Sequence, residues 1–276
     1  DDTFKFDSAT ALFDGATVNG GDNTDTIEFT AAIITDLISD VVANVISVER
    51  VILSGASSIN LNDDIKNKGV ATILTGNGDT TLRYDTDRAG TFNVDATALV
   101  DNGTLILIGG ESGGKQFDVT NLRGDLSAGS FGGSISVTAA TGTGFNVSIT
   151  AGSGNDTLTG GSGADTITTG GGNDVLVFNS LTGADTITDY VVANDSIQLS
   201  KATYAALGTV GALTAAEFVS GAGVVAGADA DDRIADDTST GNLYYEADGS
   251  GGAAAVLIGT FTGTPSLVVG EFAIVA

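Results

Sequence analysis

Short apolar runs rich in Val, Ile, Thr and Phe recur along the whole chain, divided by Gly, Asn, Asp and Ser, and this texture predicts strands almost everywhere. The clearest runs are Val48-Glu49-Arg50-Val51-Ile52-Leu53, Val70-Ala71-Thr72-Ile73-Leu74, Thr91-Phe92-Asn93-Val94 and Thr104-Leu105-Ile106-Leu107-Ile108. Gln116-Phe117-Asp118-Val119, Ile135-Ser136-Val137 and Phe145-Asn146-Val147-Ser148-Ile149 continue the series. Their spacing wanders over roughly 10 to 20 residues, which suits the coils of a solenoid better than the strands of a sandwich, because each rung needs only its neighbours. Helix signals are few. Residues 31–46 are apolar enough for one or two short helices, Thr214-Ala215-Ala216-Glu217 reads as a capping box opening a short helix through Phe218, and Tyr204–Leu207 reads as a turn.

One stretch is periodic. Residues 151–159 read AGSGNDTLT, 160–168 read GGSGADTIT and 169–177 read TGGGNDVLV. Aligned, they are three nonapeptides of the form G-G-x-G-x-D-x-U-x, where U is a large aliphatic residue. Asp156, Asp165 and Asp174 fall in register, as do Leu158, Ile167 and Leu176. A six-residue turn with alternating Gly permits positive φ and close backbone approach, exposing carbonyl oxygens along one side. The next three residues make a short strand whose U side chain points inward. Two such units complete one coil of a parallel roll, so Asp156 and Asp174 are expected to stack on one edge across a gap lined with carbonyls. About six oxygens at such a place make a Ca²⁺ site.

Composition sharpens this picture. The 276-residue chain carries 35 Asp+Glu against 10 Lys+Arg, a net charge of −25, and no Cys, His, Met or Trp. Thiol nucleophiles, disulfides, Ser-His-Asp triads and thiolate or imidazole metal sites are thereby excluded, while a hard cation held by oxygen is not. The acidity and the lack of a basic run argue against nucleic acid and anionic membranes as partners, and no apolar stretch is long enough to insert in a bilayer. Gly-rich phosphate motifs fail because no Gly-Lys-Ser/Thr follows the glycines. Paired carboxylates of the glycosidase type are not singled out among so many acids.

The nonapeptides resemble the hemolysin-type calcium-binding, or RTX, repeat. The resemblance extends to Phe178–Ser200, similar to segments that close RTX rolls, and to Arg233–Leu257, similar to a hairpin near the ends of such proteins with its turn at Thr240-Gly241-Asn242. Glu271-Phe272-Ala273-Ile274-Val275-Ala276 resembles type I secretion C-termini. Asp2-Thr3-Phe4-Lys5-Phe6 looks like the back half of a nonapeptide, so an upstream repeat and a fragment or cleaved product are expected. Gly20-Gly21-Asp22-Asn23-Thr24-Asp25-Thr26-Ile27 is a degenerate copy with Asn23 at the fourth position, and Gly76 to Leu82 is a weaker one. The remainder of 27–150 resembles strand-repeat regions of bacterial surface-layer and large secreted RTX proteins.

What the resemblance implies is an all-β fold. Residues 1–150 form an irregular β-solenoid, 151–200 a parallel β-roll with Ca²⁺-binding turns, and 201–276 a small β-rich cap carrying a secretion signal. Carried over position by position, the implied metal ligands are Gly152, Gly154 and Asp156; Gly160, Gly161, Gly163 and Asp165; and Thr169, Gly170, Gly172 and Asp174. Asp185, in a truncated repeat, partners the Asp165 edge. Several Ca²⁺ ions, two to four, are expected. Asp22 and Asp25 are read as ordinary turn residues, and Asp229, Asp231, Asp232, Asp236 and Asp237 as a solvated loop and hairpin edge. Tyr244 and Tyr245 are read as strand residues with one ring in and one out.

The function expected is non-enzymatic: a Ca²⁺-dependent extracellular module of a secreted bacterial surface protein (surface-layer, filament or adhesin type). It would associate with copies of itself and take a cell-surface polysaccharide as a further partner. The rival expectation is the secretion and folding domain of an RTX enzyme, a polysaccharide lyase, epimerase or hydrolase with its catalytic part upstream.

Overall fold

Alternating apolar residues flanked by Gly and Asp give strands too short to bury a face alone, so each must stack on a copy of itself. A computed structural model describes residues 1–7, 18–30, 45–46, 50–53, 57–61, 72–75, 78–84, 90–99, 103–109, 115–140, 146–250 and 252–276. Two compact units, Asp1–Val137 and Thr138–Ala276, divide the chain, and each is a parallel β-solenoid. Residues 31–44, Val48, Glu49, Val70, Gly76 and Phe145 lie outside the described residues, while Val45–Ile46, expected at a helix end, is a strand.

In the first unit, successive strands alternate between two sheets. One runs Thr3–Phe6, Thr26–Phe29, Arg50–Leu53, Thr72–Leu74, Gly90–Asp95 and Lys115–Leu122, all parallel. The other runs Ser57–Leu61, Thr80–Tyr84, Thr104–Gly109 and Asp125–Phe131. Register stacks Phe4, Ile27, Val51, Ile73, Val94 and Val119 in one column, with coils of 21 to 25 residues. Tilted ring pairs Phe92–Phe117 and Phe117–Phe131, at 6.4 and 5.1 Å, fill the space between the sheets.

The second unit keeps the same plan with shorter coils. Thr157–Thr159, Val175–Phe178, Ser196–Ser200 and Phe272–Val275 form one parallel run. Ser148–Thr150, Thr166–Thr168, Asp185–Ile187 and Val256–Phe261 form the other. The U positions make two inner columns, Leu158-Leu176-Ile197-Phe272 and Ile149-Ile167-Ile187-Phe261, every member at most 2% exposed. Outward from the second column lie two rows of hydroxyls in register: Ser148, Thr166, Thr186, Thr260 and, one step along, Thr150 and Thr168. Thr168 and Thr188 share a hydroxyl–hydroxyl hydrogen bond of 2.8 Å.

The last 76 residues finish this unit rather than standing apart. Asn242–Tyr245 and Ile234–Asp237 add antiparallel strands beyond Val256–Phe261, turning at Gly241, whose φ is +76°. The terminal Phe272–Val275 enters the roll's own sheet beside Ser196–Ser200. Tyr245 is buried and its ring meets Tyr204 edge-on at 5.0 Å, while Tyr244 is half-exposed. The expected capping box is present, with the Thr214 N–H and hydroxyl donating to Glu217 Oε2, but the helix is a single 3₁₀ turn, Ala215–Glu217. Phe218 instead opens a strand, because its ring packs on Phe272 at 5.3 Å and its backbone pairs with Ile234.

The inner columns carry the stability. Ile167→Ala, at a site 2% exposed between Ile149 and Ile187, is expected to cost about 2–5 kcal/mol. Thr166→Val on the exposed face should stay within about 0.5 kcal/mol. Urea unfolding at saturating Ca²⁺ measures both.

Candidate metal centre

Each nonapeptide places its six-residue turn at an edge, between a strand of one sheet and the next strand of the other. Turns 18 residues apart therefore lie on top of each other, and glycine sets how closely. Gly170 and Gly172 have φ of +85° and +136°, and a Cβ on either would collide with the carbonyl oxygen of Gly152 or Gly154 directly beneath. The Gly171 N–H donates to Gly152 O at 2.9 Å, closing the stack. On the other edge Gly183 stands over the Gly163 carbonyl in the same way.

The sixth-position aspartates are buried, and Asp165, Asp174 and the truncated repeat's Asp185 each reach the coil before. Asp174 Oδ1 accepts the Asp156 N–H at 2.8 Å, and Asp165 Oδ1 accepts the Val147 N–H at 2.8 Å. Asp185 Oδ1 accepts the Asp165 N–H at 3.1 Å, which places Asp185 on the Asp165 edge. Fifth-position asparagines reach the opposite way: Asn146 Oδ1 accepts the Ala164 N–H and Asn155 Oδ1 the Asn173 N–H, both at 2.9 Å. One edge thus gathers Gly152, Gly154, Asp156, Thr169, Gly170, Gly172 and Asp174, and the other Gly160, Gly161, Gly163, Asp165 and Asp185.

The structure adds two acids that the nonapeptide pattern does not reach. Asp195 Oδ1 accepts the Asp174 N–H at 3.1 Å, and its Oδ2 accepts the Val191 N–H at 2.8 Å, extending the Asp156–Asp174 edge by one coil. Asp189 accepts from the Thr169 N–H at 2.7 Å, the Thr169 hydroxyl and the Gly170 N–H. A signal for Asp195 exists in the triplet Asp195-Ser196-Ile197, which repeats the D-x-U ending of the nonapeptides without their glycines. The degenerate copy in the first unit folds in the same manner. Gly21 and Asn23 both take positive φ, and Asp25 is fully buried, its Oδ1 accepting the Asp2 N–H at 2.6 Å. Asp25 is therefore a ladder residue, not an ordinary turn residue, whereas Asp22 is exposed.

The expectation of a solvated loop also needs correction. Asp232, Asp236 and Asp237 are 6%, 1% and 3% exposed, because backbone and hydroxyl donors draw them in; only Asp229 and Asp231 face solvent. Asp237 accepts the Gly223 and Ser239 N–H groups and the Ser239 and Thr240 hydroxyls, which hold its carboxyl well below the usual range.

The roll aspartates fit a hard cation. Asp165 Oδ2 and Asp174 Oδ2 are buried and accept no hydrogen bond, although each residue's Oδ1 is satisfied. Asp165 Oδ2 and Asp185 Oδ2 converge beside Gly160, 2.6 and 3.1 Å from where a Cβ would stand. Among the described residues no three acidic side chains gather at one point. The donor set on each edge is one or two carboxylates with turn carbonyls, all oxygen, which suits Ca²⁺. Burial pushes Asp165 up to about 6, against the opposing Val147 N–H, and Asp174 up to about 6, with Asp195 and Asp189 adding repulsion. Asp185 rises to about 8, again chiefly through burial, with repulsion from Asp165 adding to it.

Two outcomes follow. With Ca²⁺ chelated, these three groups bind protons more tightly in the folded roll than in the unfolded chain. Between about pH 4 and 8 the folded state then carries the extra protons, and rising pH removes stability. The far-UV β signal in EGTA should be stronger at pH 5 than at pH 8; a signal that grows with pH overturns this. Gly172→Ala forces a Cβ onto the Gly154 carbonyl at a positive φ and should cost about 2 kcal/mol or more in urea unfolding.

Comparison with known families agrees with this geometry. Residues 141–176 match the RTX calcium-binding nonapeptide repeat, in four copies. The fourth copy precedes the three legible ones, with Val147 where they carry Asp, and its backbone N–H is the donor to Asp165. No curated protein and no solved structure matches the chain. The stacked coils, the aspartate ladder on their edges and the matched repeats lead to one identification: residues 141–176 carry RTX calcium-binding nonapeptide repeats, built into a parallel β-solenoid.

Proposed function

We propose that this chain is a calcium-dependent structural module of a secreted bacterial surface protein, of surface-layer, filament or adhesin type. On this reading it folds after export and associates with further copies of itself outside the cell. The observation that carries the reading is the pair of buried, unpartnered oxygens on Asp165 and Asp174. Left ionised and alone in the interior, such carboxylates oppose folding, because burying a charge without a partner is costly. Bound Ca²⁺ supplies the positive charge that lets them remain ionised inside the fold. Asp156, Asp165, Asp174 and Asp185, with the carbonyls of Gly152, Gly154, Gly161, Gly163, Gly170 and Gly172, are the residues that would hold it. A ligand that binds only the folded roll stabilises it by mass action, so the chain stays expanded where Ca²⁺ is scarce and folds where it is plentiful.

The burial of the 272–275 strand is consistent with folding after export. Phe272 and Ile274 are each 2% exposed in the folded unit, as the last rung of the roll's sheet. A secretion apparatus reading this apolar segment would have to do so before the roll forms. A non-enzymatic role is part of the proposal. A cavity of about 340 Å³ in the first unit is lined by Ile52, Leu74, Thr75, Asp95, Thr97 and Ala98. Among the described residues its one carboxylate, Asp95, is occupied by the Thr97 N–H and hydroxyl, an Asx-type turn rather than an acid–base pair.

Circular dichroism of the EGTA-treated protein at neutral pH, followed by added Ca²⁺, tests the coupling. A gain of β signal at millimolar Ca²⁺ is expected, and its absence overturns the proposal. Electron microscopy of the refolded protein tests assembly: ordered sheets or filaments are expected, while monodisperse particles favour the secretion-domain role in an enzyme.

A further inference from the structure

The hairpin that caps the second unit carries a buried acid the roll does not use. Glu246 directly follows the strand Asn242–Tyr245, and its backbone N–H donates to Arg233 O at 2.8 Å. The residue is 1% exposed, and its Oε1 is buried with no hydrogen-bond partner. Its carboxyl group meets that of Asp248, two residues on, which sits at the surface and accepts the Ala253 N–H at 3.1 Å. Two carboxyl groups in contact, one of them buried, need a positive charge or a shared proton between them.

Among the described residues no side chain forms an ion pair with either group. Arg233, the nearest cation in sequence, spends its guanidinium on carbonyls: Nε on Ala206 O and Nη1 on Ala230 O and Asp232 O.

The adjoining loop brings oxygen instead. Gly249, at φ +65°, lacks the Cβ that would stand 2.5 Å from Asp229 O and 2.7 Å from Ala230 O, and the Ser250 N–H donates to Asp229 O at 2.7 Å. Asp232, 6% exposed, pins that loop by accepting the Ala228 and Asp229 N–H groups at 2.8 and 3.1 Å. The Asp229 carbonyl is thus held against the turn that carries the carboxyl pair, with Asp248 open to solvent at its rim.

We propose that Glu246 and Asp248, with the Asp229 carbonyl, form a second divalent-cation site, separate from the nonapeptide turns. All its donors are oxygen, the buried Glu246 supplies an unpartnered acceptor, and the exposed Asp248 gives a hydrated ion a way in, which selects Ca²⁺ over softer metals. Its occupation ties the hairpin turn to the 226–232 loop, fixing the cap rather than the coils.

Equilibrium dialysis of the full chain with radioactive Ca²⁺ at pH 7.5 tests this against two sets of variants. E246Q and D248N should each bind one Ca²⁺ fewer than the parent chain, while D165N and D174N should lose ions from the roll and keep this one. Terbium(III) supplies the second reading, since Tyr244 and Tyr245 adjoin the site. In a Y190F background, tyrosine-sensitised emission should fall at least several-fold in E246Q and persist in D165N. Far-UV circular dichroism in saturating Ca²⁺ checks that each variant folds, and D248N, altered at the surface, serves if E246Q does not. An unchanged ion count and unchanged emission in a folded E246Q or D248N chain would show that a shared proton fills the place, and would overturn the proposal.

Discussion

An aspartate in the wall of one coil accepting the backbone N–H of the coil below is the contact on which the second unit depends. It joins neighbouring coils without any side chain from the lower one, so it works wherever the backbone repeats its path. It also places a carboxylate in an interior where water no longer screens it. One oxygen is satisfied by the N–H, as at Asp174 on Asp156 and Asp165 on Val147, and the other is left with nothing. A fully buried N–H would itself be costly to leave unpaired, so the aspartate cannot simply be replaced by an apolar residue. The same group that closes the backbone ladder therefore creates the demand for a cation.

The apolar columns and the aspartate ladder constrain each other. A side-chain period of two along each strand means that a slip of one residue would carry Leu158 or Ile167 outward. It would equally take Asp156 or Asp165 away from the N–H it must meet. Between Asp156 and Asp174 the coil is 18 residues, but from Asp165 to Asp185 it is 20 and from Asp174 to Asp195 it is 21. The inner columns continue through Ile187 and Ile197 regardless, so extra residues are accommodated in the turns. A solenoid permits this because each rung answers only to its neighbours.

The same point explains what could be read in the sequence. Three nonapeptides in strict register disclosed the roll, its edges and the placement of Asp185, because repetition there is in the residues themselves. Asp195 was less legible: its coil keeps only Asp-Ser-Ile, and the glycines that mark the turn are gone. The role of Asp25 was harder to read: Asn23 takes the left-handed backbone that glycine occupies elsewhere, so the copy is recognisable as degenerate while its buried aspartate passes for a turn residue. In the first unit, coils of 21 to 25 residues share a column of Ile and Val but no spacing, and strand texture alone was visible. The ending of the 3₁₀ turn at Glu217 could not be read locally, since it is the distant Phe272 ring and Ile234 backbone that claim Phe218 for a strand.

A net charge of −25 invites the view that acidity serves solubility alone, but the buried acids divide by how their oxygens are satisfied. Asp237 has donors on both oxygens, from Gly223, Ser239 and Thr240, and is held ionised without any metal. Glu271 stands between, raised by burial yet accepting the Val268 N–H and the Tyr190 hydroxyl. Asp165 and Asp174 have donors on one oxygen only. On the proposed reading, acids of the first kind stabilise the cap at any Ca²⁺ concentration, whereas those of the last kind make the roll conditional on it. Because Phe261 and Phe272 complete the roll's inner columns, a cap whose own acids are satisfied still has no surface to fold against until the roll has formed. The calcium dependence proposed for a few oxygens on two edges would in this way pass to the rest of the unit through apolar contacts that involve no ion at all.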